Sequence, residues 1–270
     1  MEFIENQKFK PTIESPQNPN IKQLALLLAK NSVRRASDIF VVEGKQENSR
    51  ALQFGFLPKE FFICEKYFTD KIPQNAEIHF VSEKIYEKIA YRGTTEGIIG
   101  IYQIKNADIQ QFTPAKNSKI IVIESVEKPG NLGAILRSCE AFGIDAVVVT
   151  DCKTDFYNPN VIRSSVGCLF GTNFFTASNE ILFNFLQKNS FRIFTTFMSE
   201  NAELIQNLDL QGRTALVFGT EHSGLSNFWH SKGKNCLIPM RGTVDSLNLS
   251  NAVAIACYEF ERQRIASQKL

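Results

Sequence analysis

No apolar run in this chain reaches the roughly 20 residues that a membrane-spanning helix needs, which argues against a helical membrane protein. The amino terminus, Met1 to Asn6, has no basic stretch leading into an apolar one, so no secretory leader is expected. Six cysteines (Cys64, Cys139, Cys152, Cys168, Cys236 and Cys257) include no CxxC pair. That scatter argues against a zinc site and a disulfide framework, and for a reduced, cytoplasmic setting. Histidine is scarce, at three residues, which leaves little room for imidazole chemistry. No GxGxxG follows any predicted strand, which counts against a dinucleotide-dependent oxidoreductase. Excess charge is lacking too: 30 Lys and Arg stand against 28 Asp and Glu. Any nucleic-acid surface therefore has to be a local patch.

What is present suffices for a sizeable core and two domains, with 270 residues of which 43% are hydrophobic. Residues 1–105 mix short apolar runs of strand length (Ile39–Val42, Phe61–Cys64, Ile78–Val81, Ile98–Ile101) with helix candidates at Ile21–Ala29, Lys45–Phe54 and Ser82–Ala90. That is a small α/β unit. The stretch 106–118 is polar, contains Pro114, has no clear periodicity and reads as a linker. From Lys119 to Leu270 a regular alternation sets in. Ile120–Glu124, Ala146–Thr150, Arg192–Phe197, Ala215–Gly219 and Cys236–Pro239 read as strands, mostly apolar throughout, with helical patterns between most of them. Such runs predict a parallel sheet covered by helices.

Three segments carry polar residues where a packed core wants none. Pro129–Arg137 (PGNLGAILR) opens a helix whose stripe is Leu132, Ile135, Leu136 and Cys139, at about 100° per residue. The helical pattern runs from Asn131 to Gly143, and Arg137 falls off the stripe. A helix cap and a solvated charge would explain both. Leu216–Ser226 (LVFGTEHSGLS) runs from a strand into a glycine-bounded turn holding Glu221. Loops at the carboxyl ends of parallel strands bind ligands, although a plain connection would look similar. His222 in that turn is read as non-catalytic. Ile238–Asn251 (IPMRGTVDSLNLSN) passes from strand to loop to helix, with Asp245 or Ser246 as the expected cap. One cap does not explain Ser246 and Asn248 together.

In this order the three segments resemble motifs 1, 2 and 3 of the SpoU (TrmH-like) branch of the SPOUT RNA methyltransferases, over roughly Lys119 to Arg264. The resemblance implies an α/β fold: a SPOUT-type parallel sheet with a C-terminal trefoil knot, preceded by a smaller ribosomal-protein-L30e-like α/β domain that binds substrate. It implies S-adenosylmethionine as cofactor, held by Thr195, Thr196, Gly219, Ile238 and Leu247. It further implies methylation of an RNA ribose 2′-hydroxyl by a site of Arg137, Asn131, Glu221, Ser246 and Asn248, without a metal. Ribosomal RNA is the expected substrate, with tRNA or a non-catalytic assembly role as alternatives, and a homodimer is expected. Arg34, Arg35, Lys45 and Arg163 match positions near RNA in such proteins, where phosphate contacts would orient the substrate. Two departures stand out: Glu127-Lys-Pro-Gly replaces the common Asp-Pro-x, and Glu96 replaces a frequent Gln.

Overall fold

The computed structural model describes residues 3–4, 12–73, 75–90, 96–197, 199, 201–220 and 223–268. The chain divides into two compact units, Met1–Lys105 with Tyr157–Phe170, and Asn106–Phe156 with Gly171–Leu270.

The first unit runs β1 (Phe3–Ile4), α1 (Pro19–Ala29), α2 (Asn31–Ser37), β2 (Ile39–Glu43), α3 (Lys45–Gln53), β3 (Pro58–Ile63), β4 (Ile72–Pro73), β5 (Glu77–Phe80), α4 (Glu83–Ile89) and β6 (Ile98–Gln103). Its four-stranded sheet has the order β2-β6-β3-β5. Helix α1 buries Ile21, Leu24 and Leu27, spaced for one face, against Val41, Phe62 and Ile99 of the sheet. Asn48 is buried on α3, donating to the Val42 and Gly44 carbonyls and accepting from the Tyr102 hydroxyl at 2.9 Å. α2 was not expected. Its Arg34 is buried, and the guanidinium donates to the Leu27 carbonyl at 2.6 Å. The last carbonyls of α1 have no partner within the helix, and Arg34 supplies one. The expected RNA contact at Arg34 is therefore corrected: the side chain is a helix cap.

The second unit runs β7 (Lys119–Glu124), α5 (Pro129–Ala141) and β8 (Ala146–Thr150). The chain then contributes α6 (Pro159–Ser164) to the first unit before returning as β9 (Phe174–Ala177), α7 (Asn179–Lys188), β10 (Arg192–Thr195), β11 (Glu203–Leu204), β12 (Thr214–Phe218), β13 (Lys234–Leu237) and α8 (Leu249–Ser267). All seven strands are parallel, in the order β11-β13-β10-β12-β7-β8-β9. β7, β8 and β12 are buried on both faces, as continuous apolar runs predict. Ile120, Val122, Val148 and Val217 pack with Leu182, Phe185 and Leu186 of α7. α5 and α8 lie against each other, with the Cys139 and Cys257 sulfurs 3.9 Å apart.

Two boundaries differ from expectation. The 106–118 stretch is docked: Ile109 is buried in the same cluster as Ile120 and Phe112 packs on it. Two apolar anchors in a polar stretch are enough to seat it. The 157–170 segment belongs with the first unit, where the tilted rings of Tyr157 and Phe40 lie 4.3 Å apart and Phe170 meets Phe56 at 4.9 Å.

Candidate active site

In the sheet, β13, β10 and β12 are neighbours pointing the same way. Their carboxyl ends, where backbone groups leave the ladder, deliver Ile238, Thr196 and Gly219 as the first residues past each strand. All three line one cleft of about 860 Å³, together with Ser246 and Leu247 from the loop before α8. This is the position where open parallel sheets bind ligands. Thr196 fixes its own place by donating through both its amide and hydroxyl to the Val217 carbonyl, at 3.1 and 3.0 Å. Thr195 does not reach the cleft. Its side chain is fully buried and donates to Asn235 Oδ1 at 2.8 Å, so its expected cofactor contact is corrected to a brace between β10 and β13.

After β12 the chain folds back as a tight hairpin. Thr220 and Gly224 exchange backbone hydrogen bonds at 3.0 and 3.2 Å, and Thr220 Oγ1 accepts from the Ser223 amide at 2.9 Å. A methyl group on Gly219 would collide with the backbone of Gly224 and Leu225, so only glycine fits there. Glu221 and His222 lie outside the described residues. A side chain that the motifs did not single out, Glu124 at the end of β7, is buried beside this hairpin's exit and bonded to Ser226 at 2.7 Å. A lone acidic residue closing an apolar run was the only hint of it.

Asn131 and Asn248 are brought together. Asn248 Nδ2 donates to Asn131 Oδ1 at 3.3 Å, which ties the first turn of α5 to the start of α8. Asn248 is also the cap of α8, its Oδ1 accepting from the Ser250 amide at 3.0 Å. The expected caps are thus corrected, since Asp245 and Ser246 line the cleft and Lys128, not Asn131, precedes α5. The cap falls at Asn248 because the loop stays non-helical through Leu247, which leaves Asp245 and Ser246 facing the cleft. Arg137 is exposed on α5. It stands six positions after Asn131, roughly 9 Å along the axis and about 120° around it.

The basic residues expected to meet RNA have different surroundings. Arg35 is exposed. Lys45 pairs with Asp70 at 3.0 Å and lies over the Phe68 ring, while its amide donates to the Glu96 carboxylate. Arg163 lines a small cavity of about 300 Å³ in the first unit that also holds Glu43, Glu47 and Glu96. Burial there raises the Glu47 carboxyl above its ordinary range; Glu96 adds to the rise and Arg163 opposes it. Arg163 thus shares this cavity with three carboxyl groups.

Two family matches cover most of the chain, and the second of the two structural units falls largely within the longer one. Residues 118–258 match the SpoU rRNA Methylase family, and residues 18–100 match the MRM3-like substrate binding domain. The Bacillus subtilis 23S rRNA (guanosine(2553)-2'-O)-methyltransferase RlmP is 26% identical over 91% of this chain and 97% of its own length. The Coxiella burnetii 23S rRNA (guanosine-2'-O-)-methyltransferase RlmB is 37% identical over 54% of this chain and 59% of its own. A solved RNA 2'-O ribose methyltransferase is 32% identical, with a TM-score of 0.81 over 94% of this chain and all of its own.

Proposed function

Because the chain belongs to the SpoU rRNA methylase family, we propose that it transfers a methyl group from S-adenosylmethionine to a ribose 2′-hydroxyl of ribosomal RNA. The observation that carries this reading is the convergence of Thr196, Gly219, Ile238, Ser246 and Leu247 on one cleft at three adjacent strand ends. The cleft suits the cofactor chemically. Leu237, Ile238 and Leu247 offer apolar surface to an adenosyl ring, Thr196 and Ser246 offer hydroxyls, and Asp245 offers a negative charge toward a sulfonium. When bound, the cofactor supplies an electrophilic methyl carbon.

A ribose hydroxyl is a weak nucleophile, so the protein has to orient it. The Asn131–Asn248 pair and Ser246 supply donors and acceptors beside the cleft. An exposed guanidinium is a fixed cation with a planar fork of donors, and Arg137 is exposed. It is best suited to clamp the phosphate next to the target ribose. Glu221 belongs to the same group by motif position.

Ribosomal RNA is favoured over tRNA by the reach of the likeness. The Bacillus subtilis rRNA enzyme matches 91% of this chain, whereas a solved structure concerned with 2-OH methylation of C/U34 on tRNA covers only 56% of it. The accessory unit is thus shared with a ribosomal RNA enzyme, which supports this reading, and exposed Arg35 is its candidate phosphate contact. α8 leaves Ile255, Tyr258 and Ile265 exposed at 40, 57 and 44%, an apolar stripe suited to a second copy of the chain. The six free thiols fit a reducing cytoplasm. The carboxyl-terminal segment is expected to thread as a trefoil knot. Incubation with tritiated S-adenosylmethionine and either 23S rRNA or tRNA tests the proposal. Label on a ribose of 23S rRNA is expected; cofactor binding without label in either RNA would contradict it.

A further inference from the structure

Glu124 is the last residue of a strand that is otherwise apolar from Ile120 onward, and it is only 4% exposed. A carboxylate out of water is costly unless donors surround it. This one has three. The Ser226 amide and hydroxyl each donate at 2.7 Å, and Asn179 Nδ2 donates at 2.6 Å from the first turn of α7. Ser226 lies two residues beyond Gly224, which closes the hairpin with Thr220. Among the described residues of that hairpin the Thr220 and Ser223 hydroxyls also meet at 2.7 Å. Two stems join it to the rest of the unit. One stem is β12, held in the middle of the sheet by β10 and β7. The other is Leu225–Ser226, and Glu124 grips it.

We infer that Glu124 is a positioning residue for the cofactor cleft: it anchors the hairpin that supplies the Thr220, Ser223, Gly224 and Leu225 wall. The inference rests on the methyltransferase reading above. It assigns Glu124 no contact with either substrate and no part in proton transfer. The carboxylate matters through its acceptor-only character, because both Ser226 donors point at it.

Glu124→Gln is nearly isosteric but removes the charge and one of the two acceptor oxygens that these donors share, whereas Ser226→Ala removes only the hydroxyl bond. Thr214→Val, at the opposite end of β12 and bonded to the Leu210 carbonyl, serves as a stability-matched control. Calorimetric titration of S-adenosylmethionine into the full chain, and amide exchange of Ser223–Ser226, are the readouts. Glu124→Gln is expected to weaken cofactor binding roughly 10-fold and to speed exchange in that segment. The KM for the cofactor should rise while the KM for rRNA holds. Ser226→Ala should show a smaller loss, and the double variant no more than Glu124→Gln alone. Should Glu124→Gln fail to fold, Ser226→Ala carries the same test. Unchanged affinity and unchanged exchange would overturn the inference. So would an equal affinity loss in Thr214→Val at the same drop in melting temperature. A wild-type chain that takes up no cofactor would instead sink the methyltransferase reading, and this inference with it.

Discussion

Each unit buries a formal charge on short hydrogen bonds, yet the two charges do different work. In the first unit Arg34 is 2% exposed and closes the carboxyl end of α1 through the Leu27 carbonyl. In the second, Glu124 is 4% exposed and holds a loop at the carboxyl end of a central parallel strand. Burial and pairing are alike; the location differs. A helix end needs a donor whatever the protein does, while the carboxyl edge of a parallel sheet is where a ligand finds free backbone groups. A buried charge thus points to function only through the element it completes.

The sharpest break in that comparison comes at the sheet edge. Gly219→Ala should abolish measurable cofactor binding in calorimetry, because its methyl group meets the backbone of Gly224 and Leu225; ordinary affinity would show that the hairpin does not shape the cleft. Arg137→Ala should lower methyl transfer to rRNA by roughly 100-fold, the scale on which a misplaced reactant slows a reaction, and leave cofactor binding intact, in keeping with its exposed place on α5. Retained activity would remove it from the mechanism. Next is Arg34→Met, expected to cost about 2 kcal/mol of unfolding free energy in denaturant titration, with rRNA affinity unaltered. A change in rRNA affinity without loss of stability would restore it as an RNA contact. Arg35→Ala should do the reverse, leaving stability within about 0.5 kcal/mol and weakening rRNA binding a few-fold in a filter assay.

A pH-dependent effect concerns Lys119, whose ammonium donates to the Leu210 and Gly212 carbonyls. Burial, helped by Arg192, lowers its pKa to about 8, against about 10.4 in an unfolded chain. Between those values the unfolded chain binds more protons than the native one, so this residue's contribution to stability improves as pH rises. Relative to Lys119→Met, the wild type should gain melting temperature from pH 8 to 10 and show a constant offset below 8. A gap that moves the other way would contradict this.

Much of the sheet was legible because its strands are apolar on both faces. Ala146–Thr150 could be read to the residue, and the polar motifs stood out where such runs stop. β9 was missed: Phe174–Ala177 is a short run after Gly171-Thr-Asn, which resembles a loop. The path of 157–170 was not legible either, since Tyr157 and Phe170 are equally apolar whichever core receives them. Arg34 and Arg35 look alike in sequence and differ only in which side of a short helix they occupy. Thr195 and Thr196 differ for the analogous reason, because side chains alternate along an extended chain and only Thr196 opens into the cleft.

Leu247 stands on the wall of the cleft, where a bulky ring would take the space the cofactor needs. Titrating S-adenosylmethionine into the wild type and Leu247→Trp should give one saturable site per chain in the first and none in the second, with both proteins folded. Equal binding in the two, or none in the wild type, would contradict the placement of the cofactor at these strand ends.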